Sequence, residues 1–437
     1  MKNDDERKLL DVHSRRRFLQ GVGVSGAVGL MADLLPKEAK AEPTSNAGSI
    51  NVINHIVVLM QENHSYDTYY GKYSGNPSGV GIPSSFNNQG HYPYHFSSLS
   101  ANNDDPNHDW QAIHSECASG KMSGFYSTNG KNALGYYEST DLPYYYSLLP
   151  EFTICGNYFC SILTETEPNR QCILAGTSGG NTTDSVPNNY YNSKNFPIIF
   201  DLLKEYGVTF KNYNFSEPAN YFYAALWSNW AKGGPNNELN ATQTDFTNDC
   251  KNGTLPQVTY VTNNWQEHPG GGSDGTITEG MNQMQQIIGQ IMSSPNWSST
   301  AIFLTYDEGG GYFDHVTPPT ISGLNAYSGF GSFGIRVPCL VISPYAIAKN
   351  VDQTQSEHSS ILKFIEKRFG LPTLASVNSS FNNSTPKNSY NQSDGGPFPP
   401  RDGQPLSVVS DLTNCFNFGQ DPNLYPNVPG TPWYTKK

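Results

Sequence analysis

The sequence predicts an α/β fold in which helices cover both faces of a mostly parallel sheet. Two apolar runs, at 52–60 and 301–306, are predicted to be buried strands, and each ends at a pair of oxygen-bearing side chains. A helical pattern over 277–292 leads directly into the second strand, and strands and helices alternate along much of the chain. This alternation is typical of a parallel sheet covered on both sides.

The first 41 residues are predicted to be a cleaved twin-arginine signal peptide. Residues 14–19 read Ser-Arg-Arg-Arg-Phe-Leu, 21–35 is weakly apolar, and small residues precede Glu42. The apolar stretch is too short for a transmembrane segment. We therefore expect the twin-arginine translocation machinery to export the protein to the periplasm or the extracellular space, with 42–437 as a single domain. The alternative is a basic disordered tail followed by a chance apolar run.

The other elements follow from the spacing of apolar residues and from the turn residues between them. The helix over 277–292 has an apolar stripe and is followed by proline, and a second helix over 359–369 is ended by glycine. Polar stretches rich in Gly and Pro predict a loop insertion at about 72–136 and an irregular C-terminal wrap over 373–437. The remaining predicted elements are helices at 142–152 and 197–206 and strands at 153–159, 208–213, 257–261 and 337–343.

Charge and cysteine content narrow the class of protein. The 437 residues include 26 Lys and Arg against 38 Asp and Glu, a net charge of −12. Without the predicted signal peptide, 18 basic residues face 32 acidic ones, a net charge of −14. This charge argues against nucleic acid and anionic membranes as electrostatic partners. The seven cysteines lack zinc-site spacing, and one or two disulfides with at least one free thiol are expected.

The side chains that end the two strands are candidate metal ligands. Glu62 and Asn63 follow the first strand, and Asp307 and Glu308 follow the second. Open α/β sheets bind ligands at the carboxyl ends of their strands, and three carboxylates gathered there would repel one another without a cation. An all-oxygen set favours Ca²⁺, Mg²⁺ or Mn²⁺, with Zn²⁺ as a weaker candidate. The alternative is a set of solvated acids that cap strand ends.

Thr166 is a candidate nucleophile. It occupies the predicted N-cap of a helix that continues through 171–175, with Pro168 in the first turn. A hydroxyl there lies in the positive field of free backbone N–H groups, and beside a metal it could attack as an alkoxide. Arg170 is a candidate to bind a phosphoryl oxygen, together with Asn169 as a second substrate-binding residue. The alternative is an ordinary helix cap.

Histidines supply the candidate proton donors. Cleavage of a phosphoester needs a donor for the departing alkoxide, and histidine suits this role near neutral pH. His315 follows Glu308 by seven residues, whereas His108 and His268 lie in loops that could cover the site. His358 begins a helix, so capping or support is its default role. Individually, each is more readily explained as a satisfied polar or loop histidine.

Four of these segments resemble, in order and spacing, the bacterial phospholipase C/acid phosphatase phosphoesterase family. They lie at 62–71, 166–170, 306–316 and 359–369. The resemblance implies an alkaline-phosphatase-like three-layer α/β/α fold. It also implies roles for residues of this chain. The divalent-metal ligands fall on Glu62, Asn63, Asp307 and Glu308, the nucleophile on Thr166, and the histidines that bind phosphate or protonate the leaving group on His108, His268 and His315.

The sequence therefore predicts a secreted, metal-dependent phosphoric ester hydrolase that forms a phosphothreonine intermediate. Phospholipase C-type cleavage of a phosphodiester is favoured, with a phosphoester such as a phospholipid as substrate. Tyr144, Tyr145 and Tyr146 either line a pocket for a lipid or choline-like group or pack in the core. Two alternatives remain: an acid phosphatase for monoesters, and a non-catalytic secreted binding protein with the same fold.

Overall fold

The computed structural model describes residues 48–430 with some internal gaps. The residues outside the description are 98, 100–104, 187–189, 192, 216–222, 231–238, 240, 264–266, 269–275, 322–328, 379–397 and 431–437. The predicted signal peptide at 1–41 also lies outside the described residues. All described residues belong to one compact unit. None of the described helices has the length and apolar character that crossing a membrane requires.

Short strands alternate with helices along the described part of the chain. The strands are β1 His55–Gln61, β2 Tyr94–His95, β3 Gly135–Tyr136, β4 Thr153–Cys155, β5 Tyr158–Phe159, β6 Phe210–Asn214, β7 Ala241–Thr242, β8 Val258–Thr262, β9 Thr300–Tyr306, β10 Cys339–Ile342, β11 Asn350–Asp352 and β12 Ser356–Glu357. The α-helices are α1 Tyr66–Tyr70, α2 Trp110–Cys117, α3 Phe125–Asn129, α4 Pro143–Leu148, α5 Thr166–Ala175, α6 Ile199–Glu205, α7 Gln243–Asn252, α8 Ile277–Met292, α9 His358–Phe369 and α10 Leu374–Val377.

The central sheet has eight strands, nearly all of which run in one direction. Their order is β11-β4-β10-β9-β1-β8-β6-β7. β10 is antiparallel to both of its neighbours, β9 and β4, and the other pairs are parallel. Every residue of β9 is buried, and β1 is buried from Ile56 onward. The centre of the sheet is therefore covered on both faces.

Two separate groups of helices cover these faces. On one face α5 packs against α9, and the Tyr260 hydroxyl of β8 donates a hydrogen bond to the Ile173 carbonyl of α5 at 3.3 Å. Phe303 of β9 meets Phe364 of α9 on the same face, with ring centroids 5.0 Å apart. On the other face α8 packs against α4 and α7. The predicted α/β sandwich around a mostly parallel sheet is confirmed.

Three predicted elements differ from the structure. The stretch at 153–159 is two strands, because a turn at Gly156 and Asn157 sends β4 into the central sheet and β5 to pair with β12. The helix predicted at 142–152 ends as α4 at Leu148, and Pro150 has no N–H with which to continue the helical hydrogen bonds. The loop predicted at 72–136 contains α2 and α3, whose polar exposed faces hide the helical pattern.

The expected disulfides are absent from this structure. All seven cysteines are described, and each is free and buried. Cys155 and Cys415 come near each other, with 3.8 Å between their sulfur atoms. A disulfide bond measures about 2.05 Å, so this pair is in contact and not bonded.

Candidate active site

The register of β1 and β9 brings the two pairs of candidate ligands side by side. Gln61 pairs with Tyr306, so the residues that follow them leave the sheet at the same edge. The segments that follow β1 and β9 then turn sharply, with φ of 65° at Asn63 and 64° at Gly310. A Cβ on Gly310 would lie 2.1 Å from the Asn63 carbonyl oxygen, so this close approach requires glycine.

The side-chain amide of Asn63 lies at the centre of the candidate site. Its oxygen is 3.3 Å from Thr166 Oγ1 and 2.7 Å from Glu308 Oε1. The same oxygen is 3.1 Å from Asp307 Oδ1, and the amide nitrogen is 3.0 Å from His268 Nε2. Ionised carboxylates cannot donate a hydrogen bond to an amide oxygen, whereas they accept one from an amide nitrogen. Turned by 180°, the amide would instead donate to the carboxylates, as expected without a cation.

Arg170 offsets part of the buried negative charge. Its Nη2 lies 3.0 Å from Glu62 Oε1, and its Nε lies 2.8 Å from Asp307 Oδ2. Burial, and then the neighbouring Asp307, raise the pKa of Glu308 well above its ordinary value. With the three carboxylates ionised, these four side chains together carry a net charge of −2, which one divalent cation would offset. The donor set, its burial and its charge therefore fit a hard divalent ion.

A group containing nitrogen ligands lies beside the oxygen cluster. Asp105, His108 and His268 offer ligand atoms that all lie within 4.8 Å of one another. Asp105 is exposed and the two histidines are partly buried. Zn²⁺ would prefer such nitrogen donors, whereas the buried oxygens of Asp307 and Glu308 suit Ca²⁺, Mg²⁺ or Mn²⁺.

Thr166 is the first residue of α5, and the N-cap is Glu165. This corrects the prediction that Thr166 is itself the N-cap. Glu165 has extended backbone with φ of −73° and ψ of −173°, and Pro168 fits into the first turn, where its missing N–H is not needed. Thr166 remains close to the positive N-terminus of the helix, and its buried hydroxyl faces Asn63.

His108 and His268 border the oxygen cluster from different loops. His108 Nε2 lies 3.9 Å from Glu308 Oε1, and its Nδ1 lies 2.7 Å from the Pro106 carbonyl oxygen. The carbonyl fixes a proton on Nδ1, so Nε2 is directed at the cluster. The two imidazole rings are 6.0 Å apart between centroids. The structure therefore brings two of the three predicted histidines to the cluster.

His315 lies in a different cluster of charged side chains. Its Nδ1 is 2.6 Å from Asp67 Oδ2, and Asp67 Oδ1 accepts a hydrogen bond from Arg336 Nη2 at 2.9 Å. Arg336 also pairs with Asp314 at 3.0 Å. Burial lowers the pKa of His315, but the contact with Asp67 outweighs it and raises the pKa above its ordinary value. The catalytic role of His315 stays a prediction.

His358 holds the backbone of Asp307, one of the candidate metal ligands. Its Nε2 lies 2.8 Å from the Asp307 carbonyl oxygen, and its Nδ1 lies 3.2 Å from the Tyr158 hydroxyl. Burial lowers the pKa of His358, so the neutral imidazole is favoured. This geometry agrees with the supporting role that the sequence suggested for a histidine at the start of α9.

Asn169 holds the loop that precedes α5. Its Nδ2 donates to the carbonyls of Ile162, Thr164 and Glu165 at 3.2, 2.9 and 3.1 Å, and its Oδ1 accepts from the Ile162 N–H at 2.9 Å. Both ends of the amide are therefore engaged by backbone groups. The Asn169 side chain therefore holds the backbone that leads into Thr166, and its role in binding substrate stays a prediction.

The three consecutive tyrosines belong to the core. Tyr144 and Tyr145 are buried and Tyr146 is partly buried. The Tyr145 hydroxyl donates to the buried carboxylate of Glu267, and the Tyr146 hydroxyl donates to the Tyr69 carbonyl at 2.9 Å. Core packing therefore explains these side chains better than a pocket for a lipid head group.

Glu267 is a residue of the site that the sequence does not single out. It directly precedes His268, is fully buried, and accepts hydrogen bonds from one side-chain amide and three tyrosine hydroxyls. The only available signal was an acidic residue next to a candidate histidine, in Gln-Glu-His-Pro. Such pairs are common in exposed loops, so the pattern alone does not predict burial.

The fold and the cluster define the class of protein. The site combines carboxylates at a sheet edge, a hydroxyl at a helix N-terminus and adjacent imidazoles. These groups suit a phosphoric ester hydrolase, because they can bind a metal, attack phosphorus and transfer protons. The chain belongs to the Phosphoesterase family, whose sequence pattern matches residues 53–372. The family resemblance recognised in the sequence is thereby confirmed.

Curated relatives carry phospholipase C names. A "Non-hemolytic phospholipase C" of Burkholderia pseudomallei is 30% identical over 500 residues, covering 96% of this chain and 67% of that protein. "Phospholipase C A" of Mycobacterium tuberculosis is 29% identical over 491 residues, covering 95% and 87%. A crystal structure of an alkaline phosphatase superfamily protein from Vibrio parahaemolyticus is 11% identical, with a TM-score of 0.38 and coverage of 74% and 67%.

Proposed function

We propose that the protein is a metal-dependent phosphodiesterase of the phospholipase C type that acts on a phospholipid. The observation that carries this proposal is the 3.3 Å distance between Thr166 Oγ1 and the Asn63 amide oxygen, where oxygens of Asp307 and Glu308 also converge. The phospholipase C names of relatives from Burkholderia pseudomallei and Mycobacterium tuberculosis support the choice of a diester.

Four side chains would hold the divalent ion, with Thr166 beside it. They are Glu62, Asn63, Asp307 and Glu308. When bound, such an ion lowers the pKa of an adjacent hydroxyl and stabilises negative charge on phosphoryl oxygens. Arg170 keeps Glu62 and Asp307 oriented through its two ion pairs.

The reaction would proceed in two displacements at phosphorus. Thr166 Oγ1 first loses its proton to solvent and attacks phosphorus. The bond from phosphorus to the alcohol oxygen breaks, and a histidine donates a proton to the departing alkoxide. His108 and His268 are the candidates for this donor, because both border the cluster. Water then gives a proton to the now neutral histidine and attacks the phosphothreonine. The phosphorylated head group is released, and a proton from solvent restores the Thr166 hydroxyl.

We propose in addition that the segment at 1–41 directs export by the twin-arginine route. The support for this is the order of the arginine run, the apolar stretch and the small residues before Glu42. The enzyme would then act on phospholipid in the periplasm or outside the cell.

The proposed activity can be tested with three substrates in parallel. Purified protein is assayed on p-nitrophenyl phosphate, p-nitrophenylphosphorylcholine and phosphatidylcholine, with and without a chelator. We expect turnover of the diesters, lost with the chelator and reduced roughly 10³-fold or more by Thr166→Ala. The matched variant Thr166→Ser keeps a hydroxyl and should retain measurable activity.

Other outcomes would select the alternatives. Turnover of the monoester alone would make the protein an acid phosphatase. No turnover of any substrate with Ca²⁺, Mg²⁺, Mn²⁺ or Zn²⁺ would leave a binding protein with the same fold. Full activity of Thr166→Ala would remove the phosphothreonine step while leaving the metal site standing.

A further inference from the structure

Glu267 is a buried carboxylate to which the proposed reaction assigns no part. Its φ of 71° lies in the left-handed region, which residues other than glycine adopt rarely. Oε1 accepts hydrogen bonds from Gln61 Nε2 at 3.0 Å and from the Tyr145 hydroxyl. Oε2 accepts from the Tyr69 and Tyr306 hydroxyls, both at 2.7 Å. Four neutral donors therefore fix both oxygens of the carboxylate.

Two of these donors end the strands that carry the metal ligands. Gln61 precedes Glu62 at the end of β1, and Tyr306 precedes Asp307 at the end of β9. Successive strand residues point to opposite faces of a sheet. Glu62 and Asp307 accordingly meet at Arg170 on one face, while Gln61 and Tyr306 meet at Glu267 on the other. The Glu267 carboxylate thus links the end of β1 to the end of β9, on the face of the sheet opposite Arg170.

The same carboxylate anchors the chain next to His268. The His268 Nε2 atom lies 3.0 Å from the Asn63 amide, one residue along from the anchored Glu267. Before Glu267, Asn263 Nδ2 donates to Gln61 Oε1 at 2.6 Å, so the chain is tied to β1 a second time. Adjacent residues share a peptide plane, and fixing Glu267 therefore limits where the His268 imidazole can lie.

We propose that Glu267 is a positioning residue that sets the His268 imidazole relative to Thr166, so that His268 protonates the leaving alcohol. The kinetic part of this inference rests on the proposed function. A carboxylate that merely stabilised the fold would affect all substrates alike. A carboxylate that positions the proton donor matters most when the leaving group is a basic alkoxide, and little when it is p-nitrophenolate.

The first experiment compares two leaving groups in two variants. In Glu267→Gln and Glu267→Ala, we expect kcat for phosphatidylcholine to fall roughly 10–100-fold, with KM changed by less than about 3-fold. On p-nitrophenylphosphorylcholine the loss in kcat should stay below about 3-fold, since that leaving group needs little protonation. Gln keeps one acceptor oxygen and the length of the side chain, so it should lose less than Ala.

Matched tyrosine variants control for general effects on stability. Tyr306→Phe removes one donor to Glu267, and we expect a smaller loss with the same dependence on the leaving group. Tyr213→Phe removes the same kind of bond, from the Tyr213 hydroxyl to Asp249 Oδ2 at 2.6 Å, away from the cluster. Thermal unfolding of both variants should show similar losses of stability, while only Tyr306→Phe changes the ratio of the two activities.

A crystal structure of Glu267→Ala, or of Glu267→Gln if Ala does not fold, supplies a readout independent of activity. We expect His268 Nε2 to move away from the Asn63 amide, beyond the present 3.0 Å. An unchanged distance, or an equal loss of kcat on both substrates, would overturn the positioning role. If the wild-type protein hydrolyses neither diester, the proposed function fails, whereas the distance still decides whether Glu267 places His268.

Discussion

Asn63 connects the oxygen cluster to His268. One end of its amide meets Thr166 and Glu308, and the other end meets His268. Which end faces the carboxylates depends on whether a cation lies among them, because the amide oxygen accepts and the amide nitrogen donates. We therefore expect the orientation of this amide to differ between the metal-bound and the metal-free protein.

Glu308 should make metal binding depend on pH. Burial, and then Asp307, raise its pKa well above the ordinary value, so the metal-free protein favours a protonated Glu308 that a metal must displace. We expect the affinity for Mn²⁺, measured by isothermal titration calorimetry, to rise between about pH 5 and pH 8. Glu308→Gln should bind more weakly, with a smaller dependence on pH. An affinity that is flat in the wild-type protein would contradict the proton displacement.

The raised pKa of Glu308 also determines how the free energy of unfolding of the metal-free protein changes with pH. A carboxyl whose folded-state pKa is raised binds its proton more tightly in the folded protein than in the unfolded chain. Its contribution to the free energy of unfolding is therefore present at low pH and is lost as the pH rises through the raised pKa. The metal reverses this loss, so the increase in melting temperature with Mn²⁺ should be larger at high pH than at low pH.

At the scale of elements, two strand ends and one helix N-terminus build the site. β1 and β9 pair in register up to Gln61 and Tyr306, and α5 brings Thr166 to the same edge. The turn after each strand is tight, and Gly310 touches the Asn63 backbone where no side chain could fit. The geometry of the ligands therefore depends on backbone contacts as much as on the ligands themselves.

Gly310→Ala should damage this turn severely. The residue has φ of 64°, and the added Cβ would lie 2.1 Å from the Asn63 carbonyl oxygen. We expect a loss of at least about 3 kcal/mol in the free energy of unfolding, or a displaced turn with weakened Mn²⁺ binding. Gly370→Ala is the matched control, with the same φ of 64° and open space around its Cβ. It should cost only about 1 kcal/mol, and equal losses would show that crowding is unimportant.

The sequence predicted those parts of the site that depend on local pattern. The ends of β1 and β9 were recognisable because apolar runs stop abruptly at Glu62 and Asp307. The N-cap was misplaced by one residue, since Thr166 and Glu165 can both precede a helix with proline in its first turn. Glu267 was missed for a different reason: its partners, such as Tyr69 and Gln61, lie about two hundred residues away along the chain.

At the scale of the whole molecule, the state of the cysteines bears on the proposed export. All seven cysteines are buried and free, and the central sheet and both helix layers form without a disulfide. We expect such a protein to be able to fold in a reducing compartment. This property suits the twin-arginine route, which carries folded cargo.

Under the proposed function, export requires the arginine pair at 15 and 16. We expect Arg15→Lys combined with Arg16→Lys to leave folded, active protein in the cytoplasm, as measured by fractionation and assay of each fraction. Arg17→Lys is the matched control, because the third arginine lies outside the pair, and it should be exported normally. Periplasmic or extracellular activity of the double variant would contradict the assignment of 1–41.

The pairing of β1 with β9 also determines which changes in chain length the protein can accept. Inserting one residue between Ile56 and Gln61 would turn every following side chain to the opposite face, so that Glu62 would point toward the Tyr306 side. Such an insertion would disrupt the oxygen cluster, although β1 could still pair with β9. Homologues of different size should accordingly vary in the connections between elements and keep the lengths of these two strands constant.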